Sequence, residues 1–208
     1  MLDLCTRCGE MQADPEVERG GLLVCRSCGD RRTFRRLPLL LVGGPAGAGK
    51  STVGAALLGR VTEAVIMDSD LLWRREFDTP DDHYHDYFRL WLRLCANVAQ
   101  AGRPVALFGA GFAVPHNFDA IPERAYFSAL HLLALICDDD ELSARLRRRP
   151  AWRDTHEGLI AEHLTFNHWL RENAANTAPP VTLIDTTGRP VEETAAQVAA
   201  WIRVHAGE

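Results

Sequence analysis

From residue 37 onward, short continuous apolar runs alternate with longer stretches that mix apolar and polar positions. The runs at 37–43, 64–68, 104–109, 132–137 and 181–185 have the uniform apolar character of strands buried on both faces of a sheet. The segments between them predict helices at 50–58, 80–101, 139–148, within 154–174, and at 190–204. The second of these is well punctuated, with Thr79 as N-cap, Pro80 at the first position, Asp81 and Asp82 in the first turn and Gly102 just past the end. Strand and helix in alternation predict an α/β fold, a parallel sheet flanked by helices.

The first 36 residues follow another pattern. Cys5-Thr6-Arg7-Cys8-Gly9 and Cys25-Arg26-Ser27-Cys28-Gly29 are two CxxC turns, each followed by a glycine that can take positive φ without strain. Such turns each bring two thiolates to one ion, so Cys5, Cys8, Cys25 and Cys28 are expected to hold a structural zinc tetrahedrally, and the segment resembles a zinc ribbon. The arginine-rich residues 31–36 read as a linker, which divides the chain into a four-cysteine module with linker at 1–36 and an α/β domain at 37–208. Cys95 and Cys137 lie in apolar surroundings and are expected to be buried and inert.

Composition narrows the function classes. At 208 residues and 47% hydrophobic, the chain can bury one full-sized core beside a small module. Its net charge of −5 argues against a nucleic-acid coat, which needs a basic excess to neutralise phosphates. No apolar run reaches the roughly 18 residues of a membrane span, and no basic-then-apolar leader opens the sequence, so a cytoplasmic location without membrane contact is expected. Paired cysteines in a reducing compartment point to metal and not to disulfides.

Gly44-Pro45-Ala46-Gly47-Ala48-Gly49-Lys50-Ser51 fits GxxxxGK[ST], between an expected strand and an expected helix. In such a phosphate loop, glycines let successive N–H groups turn toward the phosphates. Lys50 places a compact charge on them, and Ser51 ligates Mg²⁺; Thr52 follows and completes the nucleotide-binding set. Of the 23 lysine and arginine residues, only Lys50 is a lysine, which sharpens the assignment. The second strand runs into Asp68-Ser69-Asp70, whose carboxylates would point the same way if the extended geometry persisted, at the sheet edge where open α/β folds bind ligands.

Phosphate loop, DxD and Gly109-Ala110-Gly111 together resemble the shikimate kinase, gluconate kinase and chloramphenicol phosphotransferase group, over residues 37–204. The resemblance implies a P-loop kinase with a five-stranded sheet in the order 2-3-1-4-5, with ATP and Mg²⁺ as cofactors. It places Asp68 near Mg²⁺, Asp70 at the acceptor hydroxyl, and Gly109 and Gly111 where substrate lies against the backbone. It also sets the backbone of Asp185-Thr186-Thr187 beside adenine, which makes Asp185 a nucleotide-binding residue. The third strand departs from the group in reading Phe108-Gly109-Ala110-Gly111-Phe112 instead of three glycines, which speaks against shikimate as acceptor.

Residues 145–153 resemble the arginine-bearing lid of small kinases. Arg145, Arg149 and Arg153 share a helical spacing interrupted by Pro150, and Arg149 and Arg153 are the expected phosphate contacts. Asp138-Asp139-Asp140-Glu141 imitates the acidic pair of ATPases, but its position before a helix reads as first-turn acids. Trp73, Phe88, Trp91 and Trp169 are expected in the core or in a pocket wall. The expected activity is transfer of the γ-phosphoryl group of ATP to a hydroxyl of a small molecule, whether metabolite, nucleoside or antibiotic. A nucleotide or polynucleotide 5′-kinase remains an alternative. So does a regulatory NTPase that docks nucleic acid or protein through the zinc module and the arginines of 31–36.

Overall fold

The computed structural model describes residues 2–12, 16–18 and 21–207. Near the N-terminus, strands β1 (Glu16–Glu18), β2 (Leu22–Val24) and β3 (Arg31–Thr33) form a small antiparallel sheet in that order. Half of the expected linker is therefore strand: Arg31, Arg32 and Thr33 pair with Val24, Leu23 and Leu22. The remaining strands, β4 (Leu39–Gly43), β5 (Val65–Asp68), β6 (Val105–Phe108), β7 (Leu130–Ile136) and β8 (Val181–Asp185), make a parallel sheet ordered β5-β6-β4-β7-β8. Counted along the chain within that sheet, this is the expected 2-3-1-4-5.

Alternation along the central strand explains the layers. Leu39 and Leu41 face one core with Trp91, Phe88 and Leu107, whereas Leu40 and Val42 face another with Phe108, Val53 and Ile202. Helices α1 (Lys50–Leu57) and α5 (Val191–His205) cover the second face, and α2 (His85–Ala99) covers the first. The remaining helices are α3 (Asp139–Arg147) and α4 (Glu157–Asn173). No helix among the described residues is long and apolar enough to cross a membrane.

One helix departs from its expected bounds. Residues Pro80–Asp82 form a 3-10 turn, and α2 begins only at His85. Thr79 makes no side-chain cap; its carbonyl instead accepts from the N–H groups of Asp82 and Tyr84, both at 3.1 Å. His83 and Tyr84 then adopt φ of 50° and 56°, left-handed values that stop helical propagation between the two segments. Gly102, at φ 96°, closes the far end as expected.

The N-terminal sheet rests on the C-terminal half of α2. Leu2 and Leu23 are buried in the same core as Trp91, the Leu2 N–H donates to Asn97 Oδ1 at 2.9 Å, and Arg93 pairs with Asp3 at 3.2 Å. The arginines of 31–36 are largely engaged in this arrangement. Arg31 bonds Glu18 at 2.8 Å, Arg32 donates to the Leu2 carbonyl at 2.5 Å and Arg36 to that of Phe127 at 2.9 Å.

Candidate functional site

The chain leaves β4 through a loop that requires its glycines. Gly44 has φ 123°, and a Cβ there would strike the carbonyl oxygen of Leu135 on the neighbouring strand. Gly49, at φ 101°, caps α1, so Lys50 and Ser51 open that helix with their N–H groups toward the loop. The Lys50 ammonium donates to the carbonyls of Gly44 and Pro45, at 2.8 and 2.9 Å. Burial pushes its pKa down to about 8, against the opposing pull of Asp70 and Asp68, and the Arg149 charge adds to the fall.

A cleft of about 780 Å³ opens over the loop. Gly47, Ala48, Gly49, Lys50, Ser51 and Thr52 form its floor, and Asp68, Asp70 and Gly109 one wall. Both carboxylates thus come together here, by a different route from the one expected. The strand ends at Asp68, and the chain turns into a 3-10 segment, Ser69–Leu72. Asp68 Oδ1 caps that turn by accepting the Asp70 N–H at 2.9 Å, as Asp does at an N-cap.

The arginine run is sorted by its breaks. After α3 ends, Pro150 and a short 3-10 turn, Ala151–Arg153, bring Arg145, Arg149 and Arg153 to one side, where all three line the cleft. Arg147 bonds Glu157 outside, at 2.9 and 3.0 Å. Arg153 pairs with Asp70 at 3.4 Å and stacks on Trp152 at 4.4 Å from the ring centre. Arg149 makes no side-chain hydrogen bond or ion pair among the described residues, which leaves its guanidinium available to an anion. Arg145 instead ties the loop to the end of β8, donating to Thr186 Oγ1 at 3.0 Å and to the Thr186 carbonyl at 3.1 Å.

The residues expected beside adenine and acceptor take several positions around the cleft and the cavity next to it. The Asp185 carboxylate turns away from the cleft to Arg171 at 3.2 Å and the Thr187 N–H at 2.9 Å, and Thr186 takes the cleft position in its place. Of the glycines after β6, Gly109 lines the cleft and Gly111 the neighbouring cavity, and both are tightly packed. A Cβ on Gly109 would collide with Ser69 Oγ, and one on Gly111 would sit 2.9 Å from Phe88 Cζ, so neither position has room for a side chain. Asp138 caps α3 through the N–H groups of Asp140 and Glu141, at 3.0 and 3.4 Å, and lies outside the cleft, as first-turn acids do.

Sequence reasoning missed His163, from α4. Its Nδ1 faces the Ala46 N–H at 3.4 Å, and burial followed by the charges of Lys50 and Arg149 pushes its pKa down to about 4. A neutral imidazole thus accepts from the loop. No motif surrounds His163, and only tertiary packing brings α4 to the loop. Arg189, which also lines the cleft, follows Gly188 in a turn that the sequence marks only as a helix approach.

At the N-terminus the four cysteine sulfurs all lie within 4.8 Å of one another. Cys5 and Cys28 are 3.8 Å apart and Cys8 and Cys25 3.7 Å, close to the ~3.8 Å edge of a tetrahedron with Zn–S of about 2.3 Å. Gly9 and Gly29 have φ of 76° and 70°, and each donates back to the first cysteine of its turn. Backbone N–H groups of Cys8 and Arg7 pull the Cys5 thiol down to about 7, and Gln12 donates to Cys25 Sγ at 3.0 Å. The donor set fits a zinc ion.

No curated protein matches the chain. Among solved structures, it is similar to a sugar kinase from Janibacter sp. HTCC2649 at 14% identity and a TM-score of 0.61, covering 83% of this chain and 98% of that one. A gluconokinase from Sinorhizobium meliloti 1021 is similar at 19% identity and a TM-score of 0.55, over 83% of this chain and 96% of that one. At these identities the likeness is one of fold. The AAA_33 model, described as an AAA domain, matches residues 39–175, from the first strand of the parallel sheet through the loop and lid to the end of α4, and the chain belongs to that P-loop family.

Proposed function

We propose that the chain is an ATP-dependent kinase acting on a hydroxyl of a small molecule. One observation carries this reading. The cleft that holds Lys50 under its loop carbonyls is bounded by Asp70, and a second cavity with room for an acceptor shares Asp70, Ala110, Trp152 and Arg153 with it. The fold common to a sugar kinase and a gluconokinase supports it. ATP lies over Gly44 to Thr52, Ser51 and Asp68 support Mg²⁺, and Lys50 with Arg149 and Arg153 neutralises the transferring group. Asp70 orients the acceptor hydroxyl. Its oxygen bonds to Pγ as the bond from Pγ to the bridging oxygen of ADP breaks, and the proton passes to the Asp70 carboxylate.

The zinc module is structural in this reading, residues 37–208 form the kinase domain, and the protein works in the cytoplasm. Asp138 does not favour the regulatory NTPase reading, since its oxygen is committed to capping α3. The test is Asp70→Asn, which keeps the shape and removes the proton acceptor. A positioned base contributes about 10²- to 10⁴-fold, so kcat with the true acceptor should fall by that factor while ATP affinity holds. Full phosphotransfer by the variant would overturn the assignment.

A further inference from the structure

The cavity next to the phosphate cleft has a composition of its own. It measures about 660 Å³, within the range of small-molecule sites, and its wall carries Trp73, Tyr84, Tyr87, Phe88, Phe112 and Trp152. All of these rings but Trp152 form one connected cluster. Trp73 meets Tyr87 edge-on at 5.1 Å, and Phe88 meets Phe112 edge-on at 5.0 Å. Several polar atoms on the wall already have partners: the Tyr87 hydroxyl donates to the Ser69 carbonyl at 2.6 Å, and Asn117 Nδ2 to that of Gly111 at 2.9 Å. What these residues present to the cavity is mainly ring surface.

Charge narrows the occupant further. Arg153 is the only lysine or arginine on this wall, and it is paired with Asp70; Asp78 adds a second carboxylate with no opposing lysine or arginine there. A carboxylate or phosphate ligand needs a guanidinium or ammonium of its own, commonly in a bidentate pair, and would meet a net negative wall here. A polyol needs a dense set of free donors and acceptors, and on this wall the Tyr87 hydroxyl and the Asn117 amide N–H are already engaged. His83 and Tyr84, the two left-handed residues ahead of α2, both line the cavity. Backbone held in a costly region recurs where side chains must be aimed at a ligand.

We infer that this cavity binds an uncharged alcohol built on a flat aromatic or heteroaromatic ring, with the ring among Trp73, Tyr84 and Phe88 and the hydroxyl at Asp70. The fate of that hydroxyl rests on the kinase reading above, but the binding does not. Nucleosides and simple aryl alcohols share this chemistry.

Isothermal titration of the full chain holding a non-hydrolysable ATP analogue, against thymidine, adenosine, 2-phenylethanol and gluconate, tests the assignment, and ADP release in MgATP follows transfer to each. At least one ring-bearing probe should bind tenfold or more tightly than gluconate; nucleosides ahead of 2-phenylethanol would identify the source as a nucleoside, and the reverse an aryl alcohol. Trp73 is partly exposed at the end of a 3-10 turn, so Trp73→Ala should fold. It should weaken ring-bearing probes by about tenfold, the scale of one lost stacking contact, with Trp73→Phe restoring most of the loss. Gluconate binding as tightly as the ring-bearing probes, binding of none of the four, or indifference to Trp73→Ala would overturn the inference. Preferred phosphorylation of gluconate would overturn it while upholding the kinase reading. A ring-bearing alcohol that binds through Trp73 and receives no phosphate would uphold the cavity and overturn the kinase.

Discussion

Replacing Lys50 with methionine should abolish ATP binding and give nucleotide-free protein whose stability relative to the wild type falls as pH rises from 7 to 10. The ammonium is held beneath the carbonyls of Gly44 and Pro45, and burial lowers its pKa from 10.5 to about 8. At about 1.4 kcal/mol per pKa unit, keeping it charged costs the folded state at most about 3 kcal/mol. The figure is an upper bound because the side chain is only part-buried. Methionine also forfeits the two charge-assisted bonds, each worth about 1.5 to 3 kcal/mol. These bonds offset or outweigh the burial cost, so the variant gains no stability at pH 7. The sign with pH follows from a lowered lysine pKa. Between pH 8 and the ordinary lysine value the unfolded chain holds a proton that the folded one has released, so the wild type gains stability as pH rises. The penalty is fully present below about pH 8 and vanishes above about 10.5. Parallel thermal melts of both proteins from pH 7 to 10 isolate this group, because all others cancel in the difference. A gap that stays constant across the range, or one that shifts in favour of the variant as pH rises, would refute the argument.

Protein purified without chelators should contain one zinc per chain, and Cys28→Ser should lower that content; metal analysis finding none in the wild type would remove the zinc assignment. Asp138→Ala should cost about 1 kcal/mol through the lost cap of α3, a drop of about 2 to 4 °C, with ATP turnover retained. Loss of turnover in that still-folded variant would restore the ATPase reading. Gly44→Ala should abolish ATP binding by calorimetry, since the residue sits at φ 123° and its new methyl would meet the Leu135 carbonyl; unchanged affinity would show the loop to be more compliant than its packing implies.

The sheet was legible because its information is local: five short apolar runs, each within one or two residues of the observed strand, with glycines at the phosphate loop and knuckles that permit only a few backbone paths. The start of α2 was not, because Thr79, Pro80 and two aspartates satisfy every local rule for a helix start, whereas the left-handed turn at His83 and Tyr84, both on the cavity wall, interrupts the helix. The same division runs through the site. Lys50, Asp68 and Asp70 belong to contiguous motifs; His163 reaches the loop across 117 positions of sequence, and nothing near it announces the contact. Within the segment expected beside adenine, Thr186 lines the cleft while the neighbouring Asp185 carboxylate pairs with Arg171, since adjacent residues on a strand end face opposite ways.

A chain whose only lysine lies under a phosphate loop has an unusual surface for chemistry. Apart from its α-amino group, no primary amine is offered to acylating reagents, cross-linkers or lysine-directed tagging except the one beneath the nucleotide. Tethering or labelling through lysine therefore either fails or silences the protein, and the fraction of Lys50 that escapes modification measures directly how much of the population holds a ligand. Arginine supplies every other side-chain cation, and its guanidinium stays charged and unreactive across the pH range in which such reagents are used.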